Sequence, residues 1–218
     1  MGDINAELIN AYKLLKHAPL QLYQSILRHK PTKKEYYKVR QQVSTEKNSL
    51  SRASRFIFLN RNCFNGLYRT NAQGNFNVPF GRDTGTFPTK SQFQLASVAL
   101  RNAKIRVCDF EKTLATVSAG DFVYLDPPYV YAGRKDRGEY GQNSFCIEDL
   151  ERLRVSLHKI DKKGACFLLS YVECDELQPF IKKWHSTKIP VRRNISGFAK
   201  FRTTVNEVLI SNLPLIKK

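Results

Sequence analysis

Four consecutive residues, Asp126, Pro127, Pro128 and Tyr129, combine groups that suit a planar ring bearing an amino group. They follow the apolar run 122–125, which predicts a short strand. The prolines lack N–H donors and fix their own φ, so the chain leaves that strand stiffly. At the carboxyl end of a strand, where open α/β sheets bind ligands, this turn displays a carboxylate, free carbonyls and an aromatic face. These groups accept hydrogen bonds from an amine and stack on its ring; a purely structural turn capped by the acid is the alternative.

The charge of the chain indicates a polyanionic partner. Over 218 residues, 36 Lys and Arg against 19 Asp and Glu give a net charge of +17. Between Arg28 and Arg69 there are eleven basic residues and only two acids, Glu35 and Glu46. Aromatic, Asn and Gly residues lie among these charges, which favours a nucleic acid over a merely solvated basic surface.

Composition excludes several other classes of protein. The apolar content of 42% is sufficient for a core, yet no apolar run approaches the length of about 20 residues that crosses a bilayer. The N-terminus is polar from Asp3 onward and shows no signal peptide. The five cysteines never form C-x-x-C, so we expect neither disulfides nor a metal site, and a cytoplasmic, reducing setting.

The N-terminal part of the chain is predicted to be mainly helical. Residues 6–16 have the pattern of an amphipathic helix, and residues 20–55 are basic and mostly helical in pattern. Residues 60–81 are rich in Asn and Gly, and the Asn-Ala-Gln-Gly sequence at 71–74 predicts the turn of a β-hairpin.

From residue 92 onward helical and strand patterns alternate. Helices are predicted at 92–102, 147–162 and 174–184, and strands at 104–108, 122–125, 165–171, 188–195 and 205–211. The run 165–171 is apolar throughout, as in a strand buried on both faces, and the last two strands are close enough to form a hairpin. Alternation of this kind predicts an α/β fold with a Rossmann-like sheet.

The chain resembles the Dam-type, D12-class DNA adenine-N6 methyltransferases over almost its whole length. The most specific pieces are Asp126–Tyr129 and the stretch 58–69 with 76–81, which resembles the target-recognition hairpin of that family. Shorter resemblances are Asp3-Ile4-Asn5, Cys108-Asp109-Phe110, Arg192-Arg193-Asn194-Ile195-Ser196 and Glu207-Val208-Leu209-Ile210.

This resemblance implies an α/β fold with a Rossmann-like S-adenosylmethionine-dependent methyltransferase sheet. Residues 1–19 and 92–218 would form the catalytic domain, and residues 20–91 an inserted, mostly helical DNA-recognition lobe bearing the hairpin. It also implies S-adenosylmethionine as methyl donor and double-stranded DNA as partner, with no metal, no membrane and no obligate protein partner.

In the family the Asp-Pro-Pro-Tyr turn holds the target base. Asp126 and the carbonyl of Pro127 would accept hydrogen bonds from adenine N6, and Pro128 would complete the stiff turn. Tyr129 would stack on the adenine after it is flipped out of the duplex.

Three further residues resemble cosubstrate contacts. Asp3 would accept the ribose hydroxyls, or alternatively cap the helix that starts near Ala6. Asp109 would bind the adenine of S-adenosylmethionine by a hydrogen bond and Phe110 by packing, although Phe110 could equally be a core residue.

The DNA-recognition residues implied on the hairpin are Phe64, Asn65, Leu67, Arg69, Asn77 and Pro79. Arg69 would bind guanine O6 and N7 in bidentate fashion, or else a phosphate. Leu67 and Pro79 would meet base methyls or edges. Phe64 and Asn65 would fill the gap left by the flipped base, unless Phe64 is a core residue. The family suggests a short palindrome such as GATC as target.

One part of the family pattern is not found. No two glycines are separated by a single residue, so the glycine-rich cosubstrate loop is missing, and Met1-Gly2-Asp3 stands where the family's second strand ends. We therefore keep two hypotheses, an active DNA adenine methyltransferase and a truncated, inactive remnant that binds DNA through residues 28–82. Transfer to another amino group, such as cytosine N4, is a third, which the Dam-like hairpin argues against.

Overall fold

The protein has a mixed α/β structure. The computed structural model describes residues 1–42, 47–71, 73–81, 85–130, 145–192 and 204–214. The helices in these ranges are α1 (Ala6–His17), α2 (Pro19–Leu27), α3 (Lys33–Gln41), α4 (Ser49–Asn62), α5 (Lys90–Leu100), α6 (Phe110–Ala115), α7 (Ile147–Lys162) and α8 (Gln178–Ile181). The strands are β1 (Gly2–Asp3), β2 (Arg106–Val107), β3 (Phe122–Leu125), β4 (Cys166–Val172), β5 (His185–Arg192) and β6 (Thr204–Ser211). Two compact units result, one formed by Met1–Phe110 and one by the described residues from Glu111 onward.

Side-chain caps determine where most helices of the first unit begin. Asn5, Thr32 and Asn48 each accept hydrogen bonds from backbone N–H groups of the first helical turn. At the start of α5, Thr89 and Gln92 form a reciprocal capping box. These caps, with Pro19 in the first turn of α2, divide the predicted helical stretch 20–55 into separate helices.

Helices α1 to α5 of the first unit pack around one apolar core. Its buried residues include Leu22, Ile26, Tyr36, Val39, Ala53, Phe58, Leu59 and Phe93. Burial of each large side chain contributes roughly 1.5–3 kcal/mol, so this cluster gives the first unit a core of its own.

The second unit is built on a four-stranded sheet. Among its described residues the strand order is β3-β4-β6-β5, with β3 parallel to β4 and β6 antiparallel to both β4 and β5. Strand β4 is almost entirely buried, as predicted, and the last two strands pair antiparallel along their full length. Helix α7 has the predicted bounds and buries the predicted leucines, Leu150, Leu153 and Leu157.

One local prediction was wrong, and one short helix was not predicted. The helix expected at 174–184 is only a 3-10 turn at Asp175–Leu177 followed by the short α8. Trp184 lies three residues beyond α8, where its ring packs edge-on against Phe167 with centroids 5.0 Å apart and its Nε1 donates to Asp161 at 3.0 Å. Helix α6 was not expected, because its six residues are too few to show a helical period.

Other expectations about the architecture remain predictions. These are the Rossmann-like order of the complete sheet and the division into residues 1–19 with 92–218 and residues 20–91. In the described ranges no helix combines the length and apolar character needed to span a bilayer.

Candidate active site

The Asp-Pro-Pro-Tyr turn leaves the sheet at the carboxyl end of β3. Leu125, the last residue of β3, pairs with Leu169 of the parallel strand β4. Asp126 follows at once, so the turn lies beside the carboxyl half of β4. The exposed carboxylate of Asp126 is thus at the edge of the sheet where α/β proteins bind ligands.

Strand β4 holds the end of this turn through Tyr171. The backbone N–H of Val130 donates to the Tyr171 hydroxyl at 2.8 Å. The rings of Tyr129 and Tyr171 meet edge to face, with centroids 5.2 Å apart and planes at 78°. Because Tyr171 is fully buried, it gives the turn a rigid support.

An acid on β6 completes this group of residues. The hydroxyl of Tyr129 donates to Oε1 of Glu207 at 3.2 Å, and Glu207 pairs with Val172 at the carboxyl end of β4. Glu207 was not predicted as a functional residue. The signal that points to it is an acid within the apolar run that continues through Val208 and Ile210.

The electrostatics of the turn are set by two carboxyl groups. The pKa of Asp126 is raised above its ordinary value of 3.8, first by partial loss of solvent and then by the negative charge of Glu207. Two acids of like charge at one edge of a sheet favour a ligand that supplies N–H donors or develops positive charge.

The three candidate cosubstrate residues belong to the first unit. Strands β1 and β2 are parallel, with Asp3 opposite Val107, and the N–H of Cys108 donates to the Asp3 carbonyl at 3.1 Å. Asp3 and the half-buried pair Asp109 and Phe110 therefore follow neighbouring parallel strands at the same sheet edge.

The capping alternative for Asp3 was wrong, and the core alternative for Phe110 stays open. The cap of α1 is Asn5, whose side chain accepts from Glu7 and Leu8 at 3.0 Å, and not Asp3. Asp3 instead accepts the N–H of Asn5 at 2.7 Å. Phe110 is half-buried and lies outside the set of fully buried core residues, so its ring is partly accessible to a ligand.

The predicted hairpin is present, with isolated bridges in place of a continuous ladder. Near its turn Thr70 pairs with Phe76, and at its base Cys63 pairs with Phe80, both antiparallel. The N–H of Gly81 donates to the Asn62 carbonyl at 2.9 Å and closes the base. A Cβ on Gly81 would lie 2.6 Å from the Cys63 carbonyl oxygen, so only glycine fits there.

Helix α3 and Cys63 hold the two arms of the hairpin. The buried Tyr36 donates its hydroxyl to the Val78 carbonyl at 2.9 Å, and Arg40 donates to the same oxygen at 3.0 Å. The Cys63 thiol lies 3.1 Å from the carbonyl oxygens of both Asn60 and Leu67, and burial raises its pKa to about 11. Cys63 is therefore a protonated structural residue, not a reactive thiol.

Arg69 and Asn77 lie opposite each other on the two arms. Asn77 donates its backbone N–H to the Arg69 carbonyl at 3.0 Å, and Arg69 Nε donates to Asn77 Oδ1 at 2.8 Å. Both side chains are half-buried. The second bond fixes the plane of the guanidinium, which is the requirement for bidentate recognition of a base edge.

The other candidate recognition residues are exposed. Phe64 and Leu67 keep 40% and 42% of their surface, so the core alternative for Phe64 was wrong. Asn65 and Gly66 turn the chain between them with φ of 53° and 64°, a region that Asn and Gly tolerate best. Pro79 is also exposed.

The basic residues between Arg28 and Arg69 are not one uniform surface. Arg40, Arg52, Arg55 and Arg61 bind partners in the first unit: the Val78 carbonyl, the Glu7 carboxylate, the Val39 and Arg40 carbonyls, and the Thr86 carbonyl respectively. The exposed basic residues are Arg28, Lys30, Lys33, Lys34, Lys38 and Lys47. The second group, mostly lysines, is the part that can contact a phosphate backbone.

Comparison with known proteins gives the family. The family model described as "D12 class N6 adenine-specific DNA methyltransferase" matches residues 1–196. The chain belongs to this family. It is 36% identical to a Type II methyltransferase of Methanocaldococcus jannaschii, over 97% of this chain and 79% of that protein. It is 32% identical to a Type II methyltransferase of Lactococcus lactis subsp. cremoris, over 97% of this chain and 78% of that protein.

A third relative carries a more specific name. The DNA adenine methylase of Serratia marcescens is 32% identical, over 96% of this chain and 80% of that protein. As a member of the D12 class, the chain is a DNA methyltransferase. In the described residues no three His, Cys, Asp or Glu side chains cluster as a metal would require.

Proposed function

We propose that this D12-class methyltransferase transfers a methyl group from S-adenosylmethionine to N6 of an adenine flipped out of duplex DNA. The observation that carries the proposal is one turn at the carboxyl end of β3 that contains both Asp126 and a Tyr129 held by Glu207 and Tyr171. The Asp126 carboxylate and the Pro127 carbonyl are two acceptors that match the amino group of an adenine, and the face of Tyr129 matches its plane.

The residues of the turn raise the reactivity of a weak nucleophile. The lone pair of adenine N6 is delocalised into the ring. Acceptance of its N–H bonds by Asp126 and by the Pro127 carbonyl favours a pyramidal, electron-rich nitrogen and stabilises the positive charge that develops there. Tyr129 stacks on the ring and holds N6 in line. N6 bonds to the methyl carbon, the sulfur keeps the electron pair of the broken bond, and N6 then loses one proton to solvent.

The first unit supplies groups that fit the methyl donor. S-adenosylmethionine contributes an electrophilic methyl group on a sulfonium, with its own leaving group. Asp3 would bind the ribose hydroxyls, Asp109 the amino group of the donor's adenine, and Phe110 its ring. Support comes from their common position after two neighbouring parallel strands.

Sequence recognition is proposed for the hairpin. Arg69, oriented by Asn77, would read a guanine, with Leu67 and Pro79 against base edges and Phe64 and Asn65 in the gap left by the flipped base. GATC is the first sequence to test. The reaction would take place in the cytoplasm of a bacterium or phage-infected cell.

The test is methyl transfer from labelled S-adenosylmethionine to two unmethylated duplexes that differ only in GATC against GTTC. The expected product is N6-methyladenine in the first duplex, identified by digestion to nucleosides. Labelled N4-methylcytosine as the product would show that cytosine, and not adenine, is the substrate base. Binding of both duplexes without any transfer would identify an inactive DNA-binding protein instead.

A further inference from the structure

We propose that Glu207 is a positioning residue for methyl transfer: its carboxylate holds the hydroxyl of Tyr129 and so sets the ring on which the target adenine stacks. This inference rests on the proposed function, since it concerns the same site. It assigns a role to an acid on the last strand of the sheet, 78 residues after Tyr129.

Strand register explains how Glu207 reaches the turn. Strand β6 runs antiparallel to β4, so its early residues lie at the carboxyl end of β4. Within that register Val208 faces Tyr171 and Glu207 faces Val172. This is the end of the sheet where β3 gives way to Asp126, so a long acidic side chain at position 207 reaches Tyr129.

The contact with Glu207 further constrains the Tyr129 ring. The two preceding prolines fix the main chain, and Tyr171 fixes the following N–H at 2.8 Å. The edge-to-face contact with Tyr171 limits the ring on one side. The hydrogen bond from the Tyr129 hydroxyl to Glu207 then fixes the far end of the ring.

The use of an acid at this position has a cost that argues for a role. Glu207 lies on β6 between β4 and β5 and is half-buried, so its charge loses part of its solvent. Its charge also opposes that of Asp126. A nearby acid, Glu173, is already bound by Lys188 and Asn206, so Glu207 is the acid directed to the tyrosine.

The test compares Glu207→Ala, Glu207→Gln and the matched control Glu173→Ala in the full chain. The probe is a duplex with 2-aminopurine in place of the target adenine; its fluorescence rises when the base leaves the duplex stack and is quenched again when the flipped base stacks on Tyr129. Methyl transfer to the adenine duplex at saturating DNA is measured in parallel. Glutamine keeps the acceptor for the Tyr129 hydroxyl, whereas alanine removes it.

With Glu207→Ala we expect weaker quenching and a kcat about tenfold to a hundredfold lower, the usual effect of a misplaced reacting group. Glu207→Gln should restore the quenching, and Glu173→Ala should leave it unchanged. In a Tyr129→Phe background, Glu207→Ala should have no further effect on the quenching, because the hydroxyl is already absent.

The outcomes separate this proposal from the proposed function. An active wild-type protein with equal quenching in Glu207→Ala and wild type would overturn the role of Glu207 alone. An equal loss of quenching in Glu207→Gln and Glu207→Ala would overturn it too, because loss of the hydrogen bond would then not be the cause. A wild-type protein that neither quenches the probe nor transfers methyl would overturn both proposals.

Discussion

The proposed role of the Asp126 carboxyl group and its surroundings have opposite effects on its ionisation. In the proposed mechanism it must be ionised to accept the N–H bonds of adenine N6, yet partial loss of solvent and the charge of Glu207 raise its pKa. The ionised form is therefore present above the raised pKa and is lost as pH falls through it. We expect the acid limb of the pH–rate profile of wild type to lie above the ordinary value of 3.8, and Glu207→Gln to move it to lower pH.

Loss of the Asp126 side chain should affect catalysis more than binding. We expect Asp126→Ala to lower methyl transfer about a hundredfold or more, because a charge-stabilising acceptor is removed. Duplex binding, measured by fluorescence anisotropy, should change little, because most affinity comes from phosphates. Transfer within about threefold of wild type would remove Asp126 from the mechanism.

The proposed sequence preference also depends on a single side chain, because the Arg69 guanidinium would select one base of the target site. Arg69→Ala should lower discrimination between GATC and a guanine-substituted site by about 1–3 kcal/mol. Asn77→Ala should cause part of that loss, because it removes the oxygen that orients Arg69. Competition binding on both duplexes measures the effect, and equal weakening on both would make Arg69 a phosphate contact.

At the scale of elements, the hairpin depends on how its base meets the end of α4. Gly81→Ala places a Cβ 2.6 Å from the backbone oxygen of Cys63, and neither backbone can move without loss of the bridge to Phe80. We expect it to lower the free energy of unfolding by about 1–3 kcal/mol.

The control for this change is Gly74→Asn in the hairpin turn. Gly74 has φ of 77° and no atom within 4 Å of an added Cβ, and Asn tolerates that region. Chemical denaturation of both variants is the measurement. Comparable stability of Gly81→Ala and wild type would show that the base of the hairpin moves freely.

For the whole molecule, the net charge of +17 makes affinity for DNA dependent on salt. Removal of one exposed lysine that neutralises a phosphate should reduce the steepness of log K against log salt by about 0.9. Lys33→Ala and Lys34→Ala are the test variants, because both side chains are exposed.

Arg52→Ala removes the same charge from a residue already paired with Glu7, and serves as the matched control. We expect it to affect stability and leave the salt slope unchanged. A change of slope with Arg52→Ala equal to that of the lysines would show that only net charge matters.

Sequence patterns predicted the elements that have a strong period or a sharp boundary. Helix α7 and strand β3, which ends at Leu125 just before Asp126, were predicted with their observed bounds, because apolar spacing and Pro127 define them. The contact between Tyr129 and Glu207 could not be predicted, since it depends on the register of β6. Composition also could not show that Arg55 binds two backbone carbonyls at the end of α3 and is not part of the exposed basic surface.

The closed base of the hairpin has a consequence for protein engineering. The chain leaves the scaffold after Asn62 and returns at Gly81, where the N–H of Gly81 donates to the carbonyl of Asn62. Residues 64–79 thus behave as an insert whose two ends meet at one place. A foreign segment of similar span could be grafted between these two residues, with Tyr36 and Arg40 kept to hold its returning arm. Exchange of such inserts between relatives offers a route to methyltransferases of altered target sequence on an unchanged catalytic frame.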